Sequence, residues 1–153
     1  MSTTAHQNQN QFAPTPTLGA PDLAFNFNTK SAIIDPESVA TGLQVGQAMK
    51  LVAGAVPGLL VDQAAAGDKA FGVIIASLKK NVYKAGQAVE IACRGNVLYL
   101  EASAAISRGA LVENDPTGPT VKTKSAGAVL GIALDQASGA GDLIRVEIDP
   151  AAA

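Results

Sequence analysis

Catalysis requires reactive side chains within reach of one another, and this chain has few of them. Its only histidine is His6 and its only cysteine is Cys93. A hydrolytic site needs a nucleophile beside a base, and a metal centre needs several His, Cys or carboxylate ligands at workable spacing. His6 lies in a Gln- and Asn-rich opening that holds no carboxylate before Asp22. Cys93 ends the alternating run Val89, Ile91, Cys93, seven residues after Gly86, just as Ile148 stands seven residues after Gly141. A cysteine in the place of an isoleucine reads as a small core residue. Most carboxylates fall at turns (Asp62, Asp68, Asp115, Asp142) or on outward strand positions (Glu90, Glu147), which suits local hydrogen bonding better than calcium or acid/base work. No Gly-rich phosphate loop precedes a helix. The expectation is a protein that is not an enzyme, with no cofactor and no metal.

The elements around these residues carry a repeat. Phe71 to Arg94 returns in shorter form at Leu130 to Glu147, with an offset of 59 at the opening strand and 55 at the turn glycine. Each copy reads as strand, hairpin, strand. Phe71, Val73 and Ile75 correspond to Leu130, Ile132 and Leu134, and Val89, Ile91 and Cys93 to Ile144, Val146 and Ile148, so these residues are the expected inward faces. The missing four residues are a deletion at a surface tip, which costs little. Ser31 to Ile34, Gly46 to Val52, Leu59 to Val61, Val97 to Leu100, Leu111-Val112 and Pro119 to Lys124 read as further strands. Gly109 plays in the second half the part of Gly46 in the first. Glu37 to Thr41 fits one helical turn, and Ala102 to Ile106 fits a helical turn or an irregular bridge. Glycines at Ala66-Gly67-Asp68, Ala85-Gly86-Gln87 and Ala140-Gly141-Asp142 are expected to supply a positive φ. Frequent turns and short strands predict an all-β fold, a small antiparallel barrel or sandwich built from two similar halves, with an extended N-terminal arm. The expected division is an arm over 1–29, a β domain over 30–150 and a tail over 151–153.

The arm differs from the rest. Between Met1 and Thr29 the only charged residue is Asp22, yet three of the six aromatics lie there: Phe12, Phe25 and Phe27. A polar segment of this kind is expected to be disordered alone, and a merely solvating tail has no use for aromatic rings. Leu23, Phe25 and Phe27 alternate with Ala24, Asn26 and Asn28, the pattern of an added edge strand. Phe12, Leu18, Leu23, Phe25 and Phe27 are therefore the expected partner-binding residues, the other reading being an arm that folds back on its own body. Lys79, Lys80 and Lys84 form the one basic cluster, read as a solvated tip or a secondary docking point.

A formal net charge of −2 gives no electrostatic case for nucleic acid or an anionic membrane. One cysteine allows no internal disulfide. No basic patch followed by an apolar run opens the chain, and no apolar run reaches the roughly 18 residues of a membrane span. A soluble protein made in a cytoplasm is expected. Hydrophobic residues make up 48% but aromatics only 4%, and alanine fills much of the difference, so the core is expected to be thin and to gain from a partner.

The AGQ and AGD turns before alternating strands, the FGV and LGIAL strands, the bridge from Glu101 to Val112 and the closing LIRVEI together resemble the small capsid decoration, or cement, proteins of tailed bacteriophages. The likeness covers about Val45 to Ile148. It implies an all-β protein on the outer surface of the phage head, made in the host cytoplasm. Its implied partners are the major capsid protein, whose neighbouring subunits it clamps, and its own copies, as a homotrimer first or a dimer next. The long Gln/Asn-rich start departs from the short lead of that family. A carbohydrate-binding or adhesive β module is the alternative, with Tyr83 and Tyr99 as the candidate sugar-stacking rings.

Overall fold

The repeat in the sequence becomes a repeat of whole barrels in the computed structural model, which describes residues 18–21, 29–54, 58–75, 82–116 and 118–152. The first barrel is formed by β1 (Thr29–Ile34), β3 (Ala48–Leu51), β4 (Leu60–Gln63), β5 (Gly72–Ile74) and β7 (Ala88–Ala92). Between them, β2 (Leu43–Gln44) pairs with β6 (Val82–Tyr83) as a separate ribbon. The second barrel is formed by β8 (Val97–Ala102), β9 (Leu111–Asp115), β10 (Thr120–Thr123), β11 (Gly131–Ala133) and β12 (Leu143–Ile148). Both follow one plan, in which the first strand lies antiparallel to the last and parallel to the third. That single parallel pair closes each five-stranded barrel; the remaining ladders are antiparallel, as the alternation predicted.

Equivalent residues follow from the register. Ile33 pairs with Leu60 as Glu101 pairs with Thr120, and Met49 pairs with Gly72 as Val112 pairs with Gly131. Gly46 and Gly109, both at positive φ, donate to Ile74 O at 2.8 Å and to Ala133 O at 2.7 Å. Gly86 and Gly141, also at positive φ, donate to Ile34 O and Ala102 O. The matches of Gly46 with Gly109 and of Cys93 with Ile148 thus hold in three dimensions. Gly67 departs from expectation, since it is absent from the positive-φ glycines. The Asp68 carboxylate shapes that turn by accepting from the Ala65 amide at 3.0 Å.

Most of the expected inward residues are buried, including Val89, Ile91, Ile144, Val146 and Ile148. The opening strand of the second copy is an exception. Ala133 is fully buried while Ile132 and Leu134 are half-buried, so its expected phase is reversed beyond Leu130. The physical reason is that the inward positions of this strand, Gly131 and Ala133, are the small ones, where the neighbouring strand approaches closely. A Cβ at Gly131 would stand 2.0 Å from Glu147 O, and one at Gly72 would stand 2.3 Å from Ala92 O, so each barrel brings its fourth and fifth strands together over a glycine. In β5 both faces are buried: Ile74 points to the first barrel's core, while Val73 joins the cluster of the second. Ala48, Ala64, Ala70 and Ala92 of the first barrel join that second cluster too. The alanine-rich composition therefore makes a seam, because small side chains let two barrels approach closely.

Two polar devices pin the loops that lead into β5 and β11. In the first barrel Lys50 binds Asp68 at 2.8 Å. At the equivalent place Glu113, only 1% exposed, accepts from the amides of Ser125 at 3.0 Å and Gly127 at 2.6 Å and from the Ser125 hydroxyl at 3.2 Å. Burial opposes its charge most strongly, yet these donors and Lys122 together hold its pKa below the ordinary value. The helical turn expected at Glu37 to Thr41 does not form. Asp35 instead accepts from the amides of Glu37 and Ser38, a local turn that competes with a helix start. Ala102 to Ile106 is the irregular bridge, with Ile106 and Ala137 exchanging both main-chain bonds.

Candidate docking surface

The thiol and several carboxylates are held in local structural roles. Cys93 is 8% exposed, and burial raises its thiol pKa over the weaker opposing effect of Lys30, which is the condition of an inert core thiol. Asp142 gathers the Ser138 amide at 2.7 Å, the Ser138 hydroxyl at 2.8 Å and the Gly139 amide at 3.3 Å, and these bonds lower its pKa. Asp135 binds Arg145 Nε and Nη2, each at 2.8 Å, and this pair holds its pKa at about 2. Among the described residues no group of three His, Cys, Asp or Glu could hold a metal. Tyr83 is 5% exposed and packed in the first barrel's core, and Tyr99 is half-buried. Tyr83 therefore lacks the open ring face that sugar stacking uses.

Of the arm expected over 1–29, residues 18–21 and Thr29 are described; Thr29 already opens β1, and residues 18–21 lie on the second barrel. Gly19 donates to Tyr99 O at 2.7 Å, Tyr99 donates to Ala20 O at 3.0 Å, and Pro21 stands opposite Leu98. Two leader residues facing one strand residue, the first a glycine at φ 71, make a glycine-led β-bulge. Leu18 packs on the second barrel's cluster, and a Cβ at Gly46 would stand 2.9 Å from Leu18 Cδ1. The side chain expected to face a partner thus sits at the junction of the two barrels. Phe12, Leu23, Phe25, Phe27, Lys79 and Lys80 lie outside the described residues; Lys84 is exposed, with its amide bonded to Gln87 Oε1 at 2.9 Å. The chain between Pro21 and Thr29 is nevertheless held at both ends, by Leu98 on one barrel and by Ala92 on the other.

One surface feature was not anticipated. A groove of about 490 Å³ runs along Val39, Ala40, Thr41, Asp62 to Ala65 and Pro116. A smaller one of about 230 Å³ beside it is lined by residues including Gln44, Gln47, Gln63 and Pro119. Val39 is 94% exposed, and the buried Gln47 amide has an Nε2 with no hydrogen-bond partner among the described residues. In the sequence the only sign was a lone valine in the polar run Glu37 to Thr41.

What the fold and this surface define is a two-barrel, all-β module that presents turns, grooves and a leader attached to the body at residues 18–21. The chain belongs to the phage family described as "Structural cement protein (E217 gp24/Pam3 gp6)", which it matches over residues 9–149. The match takes in both barrels and part of the leader, and makes the chain a structural component of the phage particle. A search of curated proteins found no match. Among solved structures it is similar to "The crystal structure of head fiber gp8.5 N base in bacteriophage phi29", with a TM-score of 0.54 and 14% identity, covering 82% of this chain and 96% of that one. At that identity the likeness speaks for the fold.

Proposed function

We propose that the protein decorates the outside of an assembled phage head and clamps neighbouring major capsid protein subunits. The family match over residues 9–149 carries this reading. A clamp performs no reaction. It binds the assembled shell in preference to its parts and so raises the heat or force the shell withstands. Copies acting as a trimer, or failing that a dimer, would add their modest single contacts through multivalency.

Leu23, Phe25 and Phe27 are the side chains proposed to engage the capsid. The segment that carries them lies between Pro21, opposite Leu98, and Thr29, opposite Ala92, so both of its ends are fixed on the body, which lowers the entropic cost of engaging a partner. Purified chain is expected to co-sediment with mature heads at a fixed number of copies per capsomer and to raise the temperature at which the heads open. Phe25→Ala and Phe27→Ala are expected to weaken attachment about tenfold each, while Lys79→Ala changes it less than twofold. The reverse order would favour electrostatic docking through the basic tip, and absence from sedimented heads would remove the clamp altogether.

A further inference from the structure

The two barrels differ where the grooves lie. Ile34 and Ala102 are equivalent, since each accepts from the turn glycine of its own barrel, and Gly46 and Gly109 lead into the strand that follows in each. Twelve positions separate Ile34 from Gly46, whereas seven separate Ala102 from Gly109. The first barrel thus carries five extra residues in the span that holds Val39, Ala40 and Thr41. That span is tied down, because the Ser38 hydroxyl donates to Asp62 Oδ1 and accepts from the Ala40 amide at 3.2 Å. Its place is fixed before anything binds, which lowers the cost of binding. It walls the larger groove on one side, and Thr41, Gln63 and Pro116 line both grooves. The two are therefore parts of one trench between the first barrel and the turn from β9 to β10 of the second.

Gln47 lines the smaller part of this trench and is 4% exposed. Its main-chain amide donates to Gln44 O at 3.1 Å and its carbonyl accepts from the Ile74 amide at 3.0 Å, so what it offers the trench is its side chain. The buried Nε2 has no acceptor among the described residues. A buried donor left in that state destabilises a fold. The barrel does not require an amide here, because the equivalent residue after Gly109 is Ala110. The donor is in place for an acceptor that arrives from outside. Asp62 supplies negative charge to the lining and disfavours a carboxylate, so the fitting acceptor is a neutral carbonyl. Val39, Ala40 and Pro116 offer apolar contact alongside.

We propose that the trench takes an uncharged, extended segment of a major capsid subunit, one main-chain carbonyl of which accepts from Gln47 Nε2 while a small apolar side chain lies against Val39 and Pro116. An extended peptide presents carbonyls and side chains in alternation, which suits a trench with a buried donor in one part and apolar walls in the other. The inference rests on the clamp reading and gives the clamp a second contact beside the leader.

Two variants of the full chain test it against mature heads. Gln47→Met keeps the length of the side chain and removes the donor. It is expected to melt at or above the midpoint of the unaltered chain and to attach to heads at least fivefold more weakly. Val39→Asp, at an exposed position, is expected to keep the unaltered midpoint and also to lose at least fivefold in attachment. A lower midpoint in Gln47→Met would show that the amide already has its partner within the chain. Unchanged attachment of either variant would show that the trench is not engaged on the head. Each of these results overturns the proposal and leaves the clamp standing. If the unaltered chain itself fails to sediment with heads, the clamp falls and the capsid falls with it as the occupant. Should Val39→Asp break up an oligomer of the chain without heads present, the trench belongs to a second copy and the proposal is overturned.

Discussion

Single residues hold this fold where the backbone leaves no room for substitution. Gly72 and Gly131 are equivalent, and an added methyl at either would overlap the main chain of the neighbouring strand, which cannot swing aside like a flexible side chain. Gly72→Ala and Gly131→Ala are each expected to lower stability by roughly 1–3 kcal/mol in urea titrations, whereas Gly118→Ala, with open space around it, stays near neutral. Asp135 sets an acid limit. Its folded-state pKa is about 2 against an ordinary 3.8, so the folded chain favours the charged form. The resulting stability is full above about pH 4 and is lost as the pH falls through 2, a difference of roughly 2 kcal/mol. Asp135→Asn is expected to flatten the stability curve over that window, as read by melts between pH 2 and 5.

At the scale of elements, position in the barrel decides what a strand can show in its sequence. β12 has one face on the core, so Ile144, Val146 and Ile148 alternate with Arg145 and Glu147 and were read correctly. β5 is three residues long and buried on both faces, so it has no alternation to read, whereas β11 alternates in the opposite phase, with the small Gly131 and Ala133 inward and Ile132 half-buried. The leader is an element of a different kind, fastened by two main-chain bonds and a bulge that needs Gly19 at φ 71. Gly19→Ala places a side chain in the left-handed region at a cost of about 1 kcal/mol. The Tyr99 amide is then expected to exchange roughly fivefold faster, with the rest of β8 unchanged. An unaffected Tyr99 amide would mean that the bulge does not control this attachment.

At the scale of the whole molecule the two barrels share a core. The cluster that contains Leu98, Leu100 and Ile144 also contains Val73 and the seam alanines, and Asn114 Nδ2 donates across to Ala64 O at 3.0 Å. Ala128 adds a further bond to Ala66 O at 2.7 Å. A single calorimetric transition is therefore expected. Asn114→Ala, which leaves the Ala64 carbonyl short of its donor, is expected to lower its midpoint by several degrees, a loss of roughly 1–2 kcal/mol. Two well-separated transitions would show that the barrels fold independently.

The sequence alone determined the all-β class, the duplication, the matched glycines and the unreactive place of Cys93, because turn chemistry and two-residue periodicity are local and repeat visibly. It did not determine that each half closes as its own barrel through one parallel pair, since that pairing joins β1 to β4 and β8 to β10 across intervening strands. Nor could it place the alanines, which read as a thin core and prove to be the seam between barrels. The same limit applied to the leader. Leu18 looked like a residue seeking a partner, and only the approach of Gly46 from one barrel and β8 from the other made a site for it within the chain.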